Sequence, residues 1–354
     1  MKFLSVEAAR GVAAILVVLV HGSDMLAGHK YFAAMPFGGI FRFAHAGVDF
    51  FFVLSGFIIF HVHRRELGDP TKFGRYIKRR FVRIFPTYWT ILFLFGLILT
   101  VSPTRDFYER NVVAVLTSTF LIPVPAHEPI LGVSWTLQHE VLFYALFATL
   151  FFARSVGWIV LSAWAGLIAW NIATSDFSGF PGNFLFSMFN IEFFFGIVVS
   201  AALQRWPIFY PRTMLACGSV LFFTTGLVES WFANFQGDWP VPHMFYATGA
   251  AMALYGMVGA EQAEQKGLLR SIAPVAVALG TASYSIYLLH TIVIMILQQA
   301  ILIGLRFVEL PLQLTFIGVI VVTVVICERF SHFVEQPLLR WSRRALSRRP
   351  LQRA

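Results

Sequence analysis

Four ionisable residues fall inside otherwise apolar stretches of this chain: His21, Asp49, Glu140 and Glu192. A charged group in hydrocarbon costs several kcal/mol unless it is paired or wet, so each is a candidate for function. An imidazole beside a carboxylate is the usual apparatus for taking a proton from a hydroxyl near neutral pH. The ring titrates in that range, and the carboxylate fixes its tautomer and supports its cation. His21 with Asp49 or Glu140 meets that need. The same residue types also suit hydrogen-bonded glue between helices, or the proton relay of a secondary transporter or flippase.

A second constellation runs Phe73-Gly-Arg-Tyr-Ile-Lys-Arg-Arg-Phe-Val-Arg-Ile-Phe-Pro-Thr-Tyr-Trp89. Arg80 and Arg83 are three apart and project from one face of a helix. Paired guanidinium groups grip phosphate bidentately. The competing reading is electrostatic anchoring of the next span, with Tyr88 and Trp89 as interfacial aromatics.

The elements that must position these groups follow from composition. Only 13% of the 354 residues are charged and 58% are hydrophobic, with 39 Phe, and the mean hydropathy is +0.72. Soluble chains carry roughly 25% charged residues, so a soluble globule is excluded. The pattern is that of an all-α polytopic membrane bundle of about ten spans, each needing roughly 20 apolar residues. They are placed near 7–25, 46–63, 84–102, 133–153, 156–173, 184–203, 213–229, 243–260, 272–298 and 311–333. The apolar piece Val112 to Val124 is too short to cross and ends in Pro123 and Pro125, so it reads as re-entrant or interfacial. Residues 1–337 form one transmembrane domain, and 338–354 a basic cytoplasmic tail.

Charge sets the orientation. Of the 27 Lys and Arg, all but Lys30, Arg42, Arg105, Arg110 and Arg306 fall on the side of the termini. The positive-inside rule makes both termini cytoplasmic. The net charge of +9 is thereby explained by topology and anionic membrane lipid, and no nucleic-acid partner is implied. Lys2 and the apolar stretch after it read as a retained first span rather than a cleaved leader. Cys217 and Cys327 lack C-x-x-C spacing, so neither a disulfide nor zinc is expected.

Depth relates the two constellations. At 1.5 Å per residue from the inner end of each span, His21, Asp49 and Glu140 lie about 20–21 Å up, Tyr284 to Tyr287 about 18–22 Å, and Glu192 about 16 Å. A phosphate-bearing donor held at Arg80, Arg83 and neighbouring cations such as Arg10 could extend a flexible arm of that length to His21. Coenzyme A has that shape. This requires the basic cleft and the imidazole to open onto one continuous chamber.

Several motifs now stand in a recognisable order: Glu7-Ala-Ala-Arg10-Gly11-Val-Ala-Ala followed by His21, then Gly47-Val-Asp49-Phe-Phe-Phe-Val-Leu-Ser55-Gly56-Phe, then Arg80-Phe-Val-Arg83-Ile-Phe-Pro86. Trp135-Thr-Leu-Gln-His-Glu140 follows, with Phe143-Tyr144, Ser283-Tyr-Ser-Ile-Tyr-Leu-Leu-His290 and Val334-Glu335-Gln-Pro337. Over nearly the whole chain this resembles the acyltransferase 3 family of integral-membrane O-acyltransferases that modify bacterial surface and exported glycans. The resemblance implies transfer of an acyl group, usually acetyl from cytoplasmic acetyl-CoA, to a sugar hydroxyl of a glycan or lipid-linked oligosaccharide. It carries His21 over as the essential first-span histidine, Arg80 and Arg83 as the pair engaging the coenzyme, and Glu140 as the acid of the W-[ST]-L-x-x-E motif. Ala8 and Ala9 depart from the frequent Gly-Leu, and His139 stands where a second acid is common. The chain is similar to the stand-alone branch, without a fused SGNH domain, that serves exopolysaccharide or lipid-linked sugars.

The remaining candidates divide between chemistry and packing. Trp135 suits stacking on a sugar ring or an interfacial position. His45 is a candidate acceptor ligand or a solvated loop histidine, and His290 a cavity-lining or a core residue. Tyr284 and Tyr287 are hydrogen-bond partners of the polar layer. His61 and His63 lack the further ligands of a metal site, and no metal is expected. Glu328 and Arg329 read as an anchoring pair. A homodimer is compatible with the chain, and a non-catalytic export scaffold would leave the buried ionisable layer unexplained. In the expected mechanism His21, oriented by Asp49 and Glu140, deprotonates the acceptor for direct attack on the thioester; a transient acyl-enzyme, at His21 or Ser55, is the other route.

Overall fold

The computed structural model describes residues 3–101, 111–232, 240–264, 273–304 and 311–347. Lys2, Arg105, Arg110, Lys266, Arg270, Arg306, Arg348, Arg349 and Arg353, which enter the charge asymmetry, lie outside them. Among the described residues all regular structure is helical. The long helices are α1 (Leu4–Leu26), α2 (Gly47–His63) and α3 (Phe73–Val101). After the short α4 (Val112–Thr119) come α5 (Trp135–Phe152), α6 (Arg154–Thr174), the single turn α7 (Gly182–Leu185), α8 (Phe189–Arg205), α9 (Pro211–Phe232), α10 (Pro240–Glu264), α11 (Ala273–Gly304) and α12 (Leu312–Phe330). A π-helical turn, Ser331–Glu335, leads into α13 (Gln336–Ser347).

Each of the expected spans is a helix, and eight helical segments are long and apolar enough to cross a membrane. The chain is a multi-pass membrane protein. The two expected spans outside those eight are α5 and α10. Gln138-His139-Glu140 dilutes the apolarity of the first, and His243 with several small residues that of the second.

The largest boundary difference is at α3, which starts at Phe73 rather than near residue 84. The basic segment is itself helical, so Arg80 and Arg83 sit on the same rigid rod as the span. Asp69 accepts from the Thr71 amide at 3.0 Å just before it. Pro86 lies inside the helix, and the Thr90 hydroxyl donates to its carbonyl at 2.9 Å. The short segment forms α4, fastened to α3 by Tyr88, which donates to Ser118 O at 2.6 Å, and by Trp89, which donates to Thr119 O at 2.9 Å.

The closest helix pairs are α9 with α10, α1 with α11, and α2 with α8. All three approaches depend on glycine, Gly218 and Gly256 serving the first pair. A Cβ on Gly56 of α2 would collide with the Phe193 carbonyl of α8, and one on Gly280 of α11 with the Glu7 carbonyl of α1. The orphan amides of Leu4 and Ser5 at the start of α1 donate to the Glu261 carboxylate of α10, at 2.9 and 3.0 Å. These packings bring α1, α2, α3, α5 and α11 around one polar interior.

Candidate active site

Among the described residues, two cavities adjoin in the interior. The inner one, about 1250 Å³, opens beside the basic start of α3 and is lined by Arg10, Arg80, Arg83, Glu140, Tyr144 and Tyr284 among others. It exceeds the range of about 300–1,000 Å³ typical of small-ligand pockets, which suits a nucleotide-sized ligand. Its cations are held by aromatic faces rather than by tight ion pairs. The Arg80 guanidinium lies 5.5 Å from the Tyr144 ring centroid and that of Arg83 4.9 Å from Tyr284. Arg80 Nε is buried without a partner. Arg10 keeps only a 3.6 Å contact with Glu7. Guanidinium groups so arranged retain donors for a phosphate.

Two carboxylates, Glu140 in the lining and Glu335 outside it, are fixed by hydroxyl donors. Glu140 Oε1 accepts from the Ser55 hydroxyl at 2.7 Å and from the Tyr144 hydroxyl. Glu335, presented by the π-helical turn, is fully buried, and its Oε2 accepts from Ser285 at 2.6 Å and Ser331 at 2.7 Å. Both acids act electrostatically on Arg83 and Arg10. Tyr284 donates to Ile84 O at 2.9 Å, tying α11 to the arginine-bearing helix.

The outer cavity, about 760 Å³, is lined by His21, His45, Asp49, Trp135 and His243, with Asp24, Arg42 and Glu128 toward its mouth. Val48 and Tyr287 line both cavities. Tyr287 is held in place by its hydroxyl, which donates to Val133 O at 2.9 Å and lies 2.8 Å from Thr136 Oγ1. Trp135 packs edge-on to Phe52 and His139 and presents the indole to the outer cavity.

Several expectations need correction. The expected chamber takes the form of two cavities that share Val48 and Tyr287 in their linings, with the Tyr287 hydroxyl held by Val133 O and Thr136 Oγ1. Neither Asp49 nor Glu140 orients His21. Asp49 Oδ1 is 2.5 Å from Nδ1 of His243, and Glu140 faces the inner cavity with Ser55 and Tyr144. Common depth therefore did not mean contact: Glu140 faces the inner cavity, and His21 and Asp49 line the outer one with different partners. The neighbour of His21 is another imidazole, His290, at 5.1 Å between ring centroids. His290 is fully buried, and its Nδ1 lies 3.0 Å from Ile286 O, which turns the ring into the core behind His21. His45 is half-buried, with Nε2 2.8 Å from Glu229 Oε1, rather than solvated.

Other expected residues are placed as packing or support. His139 is buried, with Nδ1 2.9 Å from Asn190 Oδ1. His63 Nδ1 is 2.6 Å from Glu66 Oε2, and His61 meets Gln204 at 3.2 Å, so the two do not share a site. Glu328 and Arg329 contact each other at 3.4 Å. Sequence reasoning missed His243 and Glu229. Both are ionisable residues at the edge of an expected span, the signal by which the other four were found.

Residues 3–327 match the model of the acyltransferase 3 family, described as an acyltransferase domain. The chain is 30% identical over 330 residues to the exopolysaccharide production protein ExoZ of Rhizobium meliloti (strain 1021), covering 88% of this chain and 95% of that protein. It is 25% identical over 166 residues to Protein 2 in the picA locus of Rhizobium radiobacter, covering 42% of this chain and 81% of that protein. No solved structure matches significantly.

Proposed function

Because the chain belongs to the acyltransferase 3 family and is a multi-pass membrane acyltransferase, we propose that it moves an acetyl group from cytoplasmic acetyl-CoA to a hydroxyl of an exopolysaccharide or its lipid-linked precursor. The observation that carries this reading is the pair of cavities back to back across Tyr287, one lined by arginines and the other by imidazoles and Trp135. The name of ExoZ supports a glycan acceptor. The protein resides in the bacterial inner membrane with both termini in the cytoplasm, by the positive-inside rule.

Acetyl-CoA enters the inner cavity with its phosphates on Arg80, Arg83 and Arg10, and its thioester reaches the Tyr287 partition. The acceptor sugar enters the outer cavity, where Trp135 offers a face for a sugar ring. His21 stands two ring contacts from the partition, through His290 to Tyr287, and presents its imidazole to the transferring acetyl group. When the hydroxyl oxygen attacks the thioester carbonyl, the C–S bond breaks and the coenzyme leaves as thiolate into the inner cavity. The thiolate takes its proton from water in the inner cavity, whose mouth lies beside the basic start of α3. Deleting the gene should remove an ester from the producing strain's glycan. The intact gene should restore it and the His21→Ala variant should not. Restoration by His21→Ala to the parental level would overturn the assignment.

A further inference from the structure

We propose that Arg343 of α13, with Lys78 and Arg79 of α3, binds the ribose 3′-phosphate of coenzyme A and makes the enzyme select coenzyme A over its dephospho form; this rests on the inner cavity being the donor's site. Among the described residues its lining holds seven Lys and Arg against two carboxylates, Glu7 and Glu140. The diphosphate of the coenzyme carries one charge on each phosphorus, which leaves much of that surplus unmatched. A phosphate monoester supplies about 1.5–2 more negative charges near pH 7. The ligand that matches this lining therefore carries a second phosphate group apart from its diphosphate.

The cations stand in two layers. Arg10, Arg80 and Arg83 are half-buried and suit the diphosphate, whereas Arg75, Lys78, Arg79 and Arg343 are exposed at the mouth. Arg75, Arg79 and Arg83 recur every four residues and so make one row along α3. That row runs about 12 Å from Arg83 back to Arg75. A diphosphate covers far less than this length, and a phosphate on the ribose reaches the rest. Arg75 already has Glu66 at 4.0 Å, while Lys78, Arg79 and Arg343 have no ion-pair partner among the described residues.

Arg343 reaches the mouth because of how α13 is set. Glu335 pins the π-helical turn before it through Ser285 and Ser331. The helix then packs against α3, with Leu339 and Ser342 buried and Trp341 67% exposed. Arg343 follows Ser342 and lines the cavity; Arg340, one turn earlier and also exposed, does not. Attraction of cations to the inner leaflet would serve both arginines alike, so the cavity is what distinguishes Arg343. This residue also lies beyond residues 3–327 that match the family model, and the R-x-x-R pair does not account for it.

The test measures binding of acetyl-CoA and of acetyl-dephospho-CoA by calorimetry on the purified full chain. An uncharged detergent removes anionic lipid as the source of any effect. The wild type should bind acetyl-CoA about 10-fold or more tightly than the dephospho form. Arg343→Ala and Arg79→Ala should each lose most of that difference, weakening acetyl-CoA about 10-fold while acetyl-dephospho-CoA stays within about twofold. Arg343→Lys should give an intermediate loss, because lysine keeps the charge without the fork. Arg340→Ala should keep both affinities at the wild-type value. Where Arg343→Ala does not fold, Arg79→Ala and Arg343→Lys decide. A wild type with equal affinity for the two ligands would overturn the assignment, and so would an Arg343→Ala variant that weakens both alike or neither. In each of those cases the binding itself still upholds the donor reading. A wild type that binds neither ligand overturns the proposed function along with the assignment.

Discussion

The hydroxyl of Tyr287 lies 2.8 Å from Thr136 Oγ1 and ties α11 to α5 at the wall that the inner and outer cavities share. Whatever passes between donor and acceptor passes this ring. Tyr287→Ala removes the wall and admits outer water to the thioester, so hydrolysis of acetyl-CoA should rise relative to acetyl transfer. Tyr287→Phe keeps the ring, loses hydrogen bonding worth about 1 kcal/mol, and should keep transfer coupled. Parallel measurement of free acetate and glycan ester separates the two variants. Equal coupling in Tyr287→Ala and the wild type would mean that the two spaces are separated elsewhere.

Arg80 and Arg83 are predicted to bind the coenzyme rather than only to anchor α3. A charge-assisted hydrogen bond contributes about 1.5–3 kcal/mol, so Arg80→Ala or Arg83→Ala should weaken acetyl-CoA binding about 10- to 150-fold. Lysine at either position should give an intermediate loss, because it keeps the charge but not the fork. Calorimetry on the purified variants reads this directly. A transporter would show no such loss.

The sequence made the helices legible and the contacts only partly so. The ten expected spans follow from apolar runs, a signal that needs no knowledge of neighbours. The arginine cavity was also legible, since Arg80 and Arg83 are local on one helix. The partner of His21 was not. Depth along a helix fixes height but not azimuth: Glu140 faces the inner cavity, and Asp49, which shares the outer cavity with His21, turns to His243. Asp49 finds its histidine 194 positions away, on a helix whose small residues and His243 dilute the span signal.

Close packing of α2 on α8 positions Ser55 and Asp49 at once. Gly56→Leu places a side chain against the Phe193 carbonyl, and overpacking of this kind costs about 1–3 kcal/mol. The variant should melt earlier in a thermal-shift assay and lose transfer in proportion to the unfolded fraction. Parental melting would mean that α2 and α8 have room to separate.

Orientation has its own check. In a chain with Cys217 and Cys327 replaced by Ser, Ala126→Cys should react with a membrane-impermeant maleimide in intact spheroplasts. Thr71→Cys should react only after lysis, because the basic side faces the cytoplasm. The reverse pattern would invert the membrane orientation and place the arginine cavity outside.

The central claim is that an acyl group leaves a coenzyme in one cavity and arrives on a hydroxyl in the other. Purified protein is incubated with acetyl-labelled coenzyme A and lipid-linked glycan, and label and free thiol are counted together. The account predicts base-labile label on the glycan, one thiol released for each ester formed, and neither in His21→Ala. Label that stays on the coenzyme, while liposomes holding the protein move solute in response to pH, would contradict it.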